Sequence, residues 1–307
     1  MDIRRTVLWM IFSFSLLLLW NNWQIHNGKP SLFGAPPAAS TTESPAAANN
    51  ATPSVPSAPT ATAAPASTVP GAATPVPTRS EEVVITTDVL RLTFDTLGAQ
   101  LVRAELLKYP ATGQPDKPTV LLDRTAGLNY VAQTGVVGAA NGQNFPTHQT
   151  PFRVVSTDRQ MTGDNLVVTF EAESGGVKVT KTFTLHRGRY DIDVRHDLAN
   201  VGAAPVTPAL YLQLERDGND PADTSSFYHT FTGMAVYSEQ DKFQKMTFAD
   251  IEKKKANYIK QADNGWIAVV QHYFATAWVP PQGKPRNNEV LEVQKNLYAA
   301  RTIEAVG

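Results

Sequence analysis

The sequence predicts a mainly β protein hung from an N-terminal transmembrane helix by a disordered linker, and three observations carry that prediction. Residues 6–23 hold no charge. Residues 35–78 are almost wholly Ala, Pro, Thr and Ser, with ten prolines and one charged residue, Glu43. From Glu82 onward, apolar and polar residues alternate in runs of strand length. The chain therefore divides into a cytoplasmic N-terminus (1–5), an anchor (6–23), a Pro/Ala/Thr/Ser-rich linker (24–80) and an exported β-sandwich domain (81–307) with one short helix.

As a helix, Thr6–Trp23 spans roughly 27 Å, close to the hydrocarbon thickness of a bilayer. Arg4 and Arg5 precede it and are expected to stay in the cytoplasm, while Trp20 and Trp23 close it at the outer interface. The alternative is a cleaved signal peptide. That needs a small-x-small site after the apolar run, where this chain has Trp20-Asn-Asn-Trp-Gln-Ile-His26; Ala38-Ala39-Ser40 comes too late. A retained anchor is the expectation.

The linker cannot bury enough apolar surface to offset its ordering entropy. Its low-complexity core would reach roughly 35–40 Å as a coil and about 135 Å fully extended. A spacer is expected; a glycosylated, mucin-like stalk is the rival.

In the domain, Val83–Thr87 and Val89–Phe94 read as strands, the second with Leu90, Leu92 and Phe94 on one face. Gly98 breaks the pattern before Gln100–Leu107. Asn165–Ser174, Gly175-Gly176 and Val177–Leu185 read as a hairpin, since paired glycines supply the positive φ values of a two-residue turn. Tyr190–Asp197 follows, with Tyr190, Ile192, Val194 and His196 on one face, and Ala209–Glu215 after a loop at 200–205. Long antiparallel strands at this spacing indicate a large sandwich.

Helical pattern is scarce in the domain, and Thr247–Lys260 is its best candidate, with Phe248, Ile251 and Ile259 on one side. Thr247 is placed to cap it, although Asp250 stands where a full capping box has Glu or Gln. Lys253-Lys254-Lys255 reads as a solvated face, with an acidic partner as the alternative. Gly265–Pro281 is too short, and too polar at Gln271 and His272, to cross a membrane. It reads as one strand buried on both faces, with Trp266, Ala268, Val270, His272, Phe274 and Trp278 on one side and Ile267, Val269, Tyr273 and Val279 on the other.

The chemistry is sparse. Net charge is −1, which gives no reason to expect nucleic acid. Cysteine is absent, which excludes thiol catalysis, thiolate metal sites and iron–sulfur clusters. The six histidines (His26, His148, His186, His196, His229 and His272) show no metal-ligand spacing. No Gly-x-Ser-x-Gly, phosphate-loop or dinucleotide fingerprint occurs. Asp217–Asp223 is acidic but has Pro221 where a calcium ligand should stand, so a surface loop is expected. Trp266, Trp278, Tyr273 or Tyr228 could form a sugar platform, but core packing is the favoured reading for Trp266 and Trp278.

Several blocks carry a resemblance. Met-Asp-Ile-Arg-Arg-Thr-Val-Leu-Trp opens the chain, and its apolar run ends in Trp-x-x-Trp. Thr87-Asp-Val-Leu-Arg-Leu-Thr-Phe, Lys181-Thr-Phe-Thr-Leu-His-Arg-Gly, His229-Thr-Phe-Thr-Gly and above all Gly265-Trp-Ile-Ala-Val-Val-Gln-His-Tyr-Phe-Ala-Thr-Ala-Trp-Val-Pro follow. Over its whole length the chain resembles the N-terminal part of the Oxa/Alb/YidC family of bacterial membrane protein insertases.

The resemblance implies a twisted supersandwich of the sugar-mutarotase type. It implies an inner-membrane location, nascent inner-membrane proteins as clients, and partners in the Sec translocon and its SecD and SecF accessory proteins. It implies no cofactor and no enzyme chemistry. In the family, further transmembrane helices enclose a hydrophilic groove with an important arginine; neither Arg4 nor Arg5 is that residue. The chain is expected to stop inside or near the end of its periplasmic domain. Partner docking is expected through the polar segment Asp217–Lys260, at Asp217, Asp220, Lys253, Lys254 and Lys255. The alternative function is a membrane-anchored sugar-binding or mutarotase-like module.

Overall fold

The computed structural model describes Trp20 and residues 80–306, apart from Ala126, 139–143, 221–229 and His272. Arg4, Arg5, Trp23, the anchor (Trp20 excepted), the linker up to residue 79, Pro221, Tyr228 and His229 lie outside the described residues. Trp20 is helical and half exposed. Among the described residues no helix is long and apolar enough to cross a membrane.

The domain is built from three antiparallel sheets. The largest has nine strands in the order β1 (Glu82–Thr86), β2 (Leu90–Asp95), β3 (Gln100–Ala111), β4 (Gln114–Thr125), β5 (Leu128–Gly138), β10 (Pro208–Asp217), β17 (Leu297–Ala305), β16 (Arg286–Gln294) and β13 (Gln261–Ala262). A four-stranded sheet holds β6 (Arg153–Val154), β7 (Asn165–Ser174), β8 (Val177–His186) and β9 (Ile192–Asn200). A second holds β12 (Lys242–Met246), β11 (Thr232–Ser238), β14 (Trp266–Gln271) and β15 (Phe274–Trp278). The one described helix of the domain, α1, is Phe248–Glu252.

The alternation read from sequence becomes burial here. In β8, Val177, Val179, Lys181, Phe183 and Leu185 are buried and the residues that alternate with them are only partly so. The apolar four join Leu90, Leu92 and Phe94 of β2 and Met234, Val236, Ile267 and Val269 of the other small sheet in one apolar cluster. Phe94, Phe170 and Phe183 meet ring to ring, with centroids 4.7–5.9 Å apart. The hairpin at Gly175-Gly176 is in the expected register, from Asn165↔His186 to Ser174↔Val177, with φ of +60° and +77° at the two glycines.

Two expectations are corrected. Gly265–Pro281 is not one strand but the hairpin β14–β15, whose last partners before the turn are Gln271 and Phe274. A two-residue turn resets the alternation: Phe274, Thr276 and Trp278 share a face with Ile267 and Val269, while Trp266 and Ala268 point the other way. Tyr273, expected inside, is 80% exposed at the turn. Trp278 packs against the core and donates Nε1–H to the Gln213 carbonyl at 3.0 Å. Trp266, expected in the core, lies on the outer face, stacked on Tyr237 at 5.5 Å.

The helix expected over Thr247–Lys260 is only five residues long. Its capping box is complete with aspartate in the third position: Thr247 Oγ1 accepts from the Asp250 N–H at 3.1 Å, and Asp250 Oδ2 from the Thr247 N–H at 3.3 Å. It stops in a Schellman motif, with Lys254 N–H bonded to Ile251 O (3.0 Å) and Lys255 N–H to Asp250 O (2.7 Å). Lys254 takes the left-handed φ of +55° that this motif requires. The chain then extends, which brings Tyr258 into the core.

Candidate functional site

A buried cluster of titratable side chains lies between β8–β9 and the nine-stranded sheet. Strand β8 is apolar on its inner face except at Lys181, which is fully buried. Its Nζ donates to the carbonyls of Gly98 (2.6 Å) and Thr134 (2.8 Å) and stands 4.4 Å from the Phe152 ring centroid.

The large sheet explains this arrangement. Strands β3 and β5 pair only at Leu101↔Ala132, because β4 wedges between them. Past that point the edge of β5 is met by the segment before β6, through Val136 N–H to Pro146 O at 2.9 Å. Gly98 and Thr134 flank the opening, and the ammonium closes it by bonding one carbonyl on each side. Buried carbonyls without partners would each cost about 1–3 kcal/mol.

Two histidines complete the cluster. His196, the register partner of Lys181, holds Thr134 Oγ1 at 2.9 Å through Nε2. His148 takes the Tyr211 hydroxyl at 2.6 Å on Nδ1, and its own backbone N–H donates to that hydroxyl at 3.0 Å. Burial disfavours every charge here. It lowers Lys181 to about 7. Burial, followed by the nearby Lys181 charge, lowers His148 to about 4 and His196 to about 3. His148 is thus neutral near pH 7, which leaves Nδ1 free to accept the Tyr211 O–H.

Glycine is required at two positions beside this cluster. A Cβ on Gly98, whose φ is +78°, would fall 2.2 Å from the His148 carbonyl oxygen. One on Gly135 would fall 2.4 Å from the Tyr211 hydroxyl. The cluster is sealed rather than presented to solvent, so its polar atoms hold the layers together.

The expected docking residues do not form one surface. Asp217 is buried at the end of β10, where its carboxylate accepts the N–H of Asn129 (2.7 Å) and of Asn219 (2.9 Å). Its place is inside the fold because those two backbone amides need an acceptor. Asp220 is exposed. Lys253, Lys254 and Lys255 are exposed in the turn that ends α1 rather than on a helix face. Among the described residues no group of His, Asp or Glu is arranged to hold a metal ion.

Sequence reasoning missed the cluster, and one signal could have found it. Lys181 occupies a position that strict alternation assigns to the apolar face of its strand. A lysine there must be buried and must find acceptors.

Residues 82–307 match the family model described as the YidC periplasmic domain. The chain belongs to the YidC periplasmic-domain family. The membrane protein insertase YidC of Bordetella petrii is 75% identical over 313 aligned residues, covering 100% of this chain and 55% of that protein. That of Bordetella avium is 70% identical, covering 100% of this chain and 56% of the relative. The chain spans about half the length of the curated relatives it matches. A solved structure of a putative aldose 1-epimerase from Escherichia coli K12 is 12% identical, covers 73% of this chain and 88% of that one, and superposes with a TM-score of only 0.40. That likeness is too distant to bear on the YidC-family domain's function.

Proposed function

We propose that this chain is the anchor and periplasmic part of an inner-membrane protein insertase. Such a protein assists the insertion, folding and assembly of nascent membrane proteins, alone or beside the Sec translocon. The observation that carries the reading is the 75% identity to an insertase over the whole chain. The work is non-covalent: polar groups offered to a translocating hydrophilic segment lower the cost of its desolvation, and no bond is made or broken. In this reading Arg4 and Arg5 face the cytoplasm, Trp20 and Trp23 mark the outer interface, and residues 24–307 are periplasmic.

The role assigned to the periplasmic domain in this reading is to dock and position. The exposed residues Asp220 and, on a separate stretch of the chain, Lys253–Lys255 are the proposed contacts with Sec-associated partners such as SecD and SecF. Charged rims act mainly on association rate and salt dependence.

The test is depletion of the native insertase in cells that express residues 1–307. A client protein should stay uninserted, while the chain should still co-purify with Sec components. Restored insertion would place the insertion chemistry within this chain and overturn the division of labour.

A further inference from the structure

The second four-stranded sheet carries an aromatic row on its outer face. Phe243 of β12, Tyr237 of β11 and Trp266 of β14 are cross-strand neighbours in register. Tyr237 and Trp266 stack with their planes 10° apart, and Phe243 tilts against Trp266 at 5.9 Å. Ile267 and Trp278 are partners, so Val279 continues the row beyond Trp266. The two ends of the row are open: Phe243 is 50% exposed and Val279 66%.

The same edge is basic. Residues 242–260 hold six lysines against Asp250 and Glu252, a net +4 in a chain whose net charge is −1. Lys242 and Lys245 flank Phe243 on the edge strand, and Lys245 Nζ lies 5.0 Å from the Phe231 ring. The segment after α1 folds back onto β12, where the Ile259 N–H donates to Gln244 Oε1 at 2.8 Å. Lys253, Lys254, Lys255 and Lys260 lie on the segment that makes this return, all exposed. Glu239 and Asp241 occupy the β11–β12 turn and reduce the local excess without reversing it.

We infer that this basic, aromatic edge docks on an anionic phospholipid surface. Charge complementarity names the occupant. Lysines are drawn to anionic headgroups, and Trp, Tyr and Phe settle at the boundary between headgroup and acyl chain. An acidic protein would match the lysines but would not call for an open row of aromatic rings beside them. The inference rests on the reading of the chain as membrane-tethered, which keeps the edge within reach of a bilayer.

The experiment uses the full chain in phosphatidylcholine nanodiscs, with or without roughly 30% phosphatidylglycerol. The chain has no cysteine, so Val279→Cys and, separately, Asp116→Cys at the exposed start of β4 take a fluorophore at one site each. Headgroup-nitroxide lipid should quench the label at 279 in the anionic discs and leave the label at 116 bright. Quenching should fall at least about threefold at high salt, which screens exposed charges. It should fall similarly when Lys242, Lys245, Lys253, Lys254 and Lys255 are replaced by Gln. Quenching that is absent, equal in the two lipids, or indifferent to the lysines would overturn the inference; an acidic protein as the true occupant would give the first of these. Co-elution with the uncharged discs reports the anchor separately. If it fails, the same labels are read with anionic vesicles added to the soluble chain.

Discussion

His148 shows how one buried ring couples the fold to pH. Its pKa in the fold, about 4, lies below the ordinary value of 6.5. Between those values the unfolded chain binds a proton that the fold refuses, so stability falls as pH drops from 6.5 to 4 and is fully retained above 6.5. The full loss is on the order of 3 kcal/mol, at about 1.4 kcal/mol per unit. Lys181 acts in the same direction at higher pH: with a pKa near 7 in the fold, it makes stability rise from pH 7 towards its unfolded value of 10.5. Urea titrations at pH 7 and pH 4.5 should therefore differ more for the native chain than for His148→Gln, whose amide oxygen can still accept the Tyr211 hydroxyl. An equal acid loss in both would show that His148 is not a source of the effect.

Lys254 carries the clearest element-scale strain. The Schellman motif at the end of α1 places it at the position where glycine is usual, with φ of +55°. Lys254→Gly should stabilise the domain by about 0.5–1 kcal/mol, read as a higher urea midpoint at unchanged slope. No gain would mean that the lysine's interaction with the helix C-terminus matches the backbone cost.

Elements closed by local chemistry were legible in the sequence, and elements closed by distant partners were not. The Gly175-Gly176 hairpin was readable to the residue because its turn glycines sit between two clean alternations. The β14–β15 turn was not, because His272-Tyr273 carries no Gly, Pro, Asn or Asp and apolar residues continue through it. The helix was overestimated because periodicity from Phe248 to Ile259 says nothing of the core position waiting for Tyr258. For the buried cluster, the face of His196 was readable. The meeting of Lys181 with Gly98 and Thr134 was not, since it joins residues 83 and 47 positions apart.

At the scale of the whole molecule, the main apolar cluster draws buried residues from all three sheets. The one satellite cluster, Val137, Tyr211 and Ile303, is small and lies within the nine-stranded sheet. Unfolding in urea should therefore be one cooperative transition. Far-UV circular dichroism and the fluorescence of a probe at the Asn165–His186 hairpin should trace coincident curves. A separate early transition of either four-stranded sheet would contradict this. A sandwich was legible from strand spacing; the split of the remaining strands into two four-stranded sheets was not, because β10, between β9 and β11 in the chain, joins the distant β5 and β17 in the large sheet. The bond of Lys181 to carbonyls on both sides of the β3–β5 opening has a mechanical consequence. A side chain rooted in one layer and tied at two points of the other works as a dowel. Sliding the layers past each other by one residue, about 3.3 Å, would pull both bonds out together. The domain should therefore yield to force by peeling at a sheet edge before its layers shear.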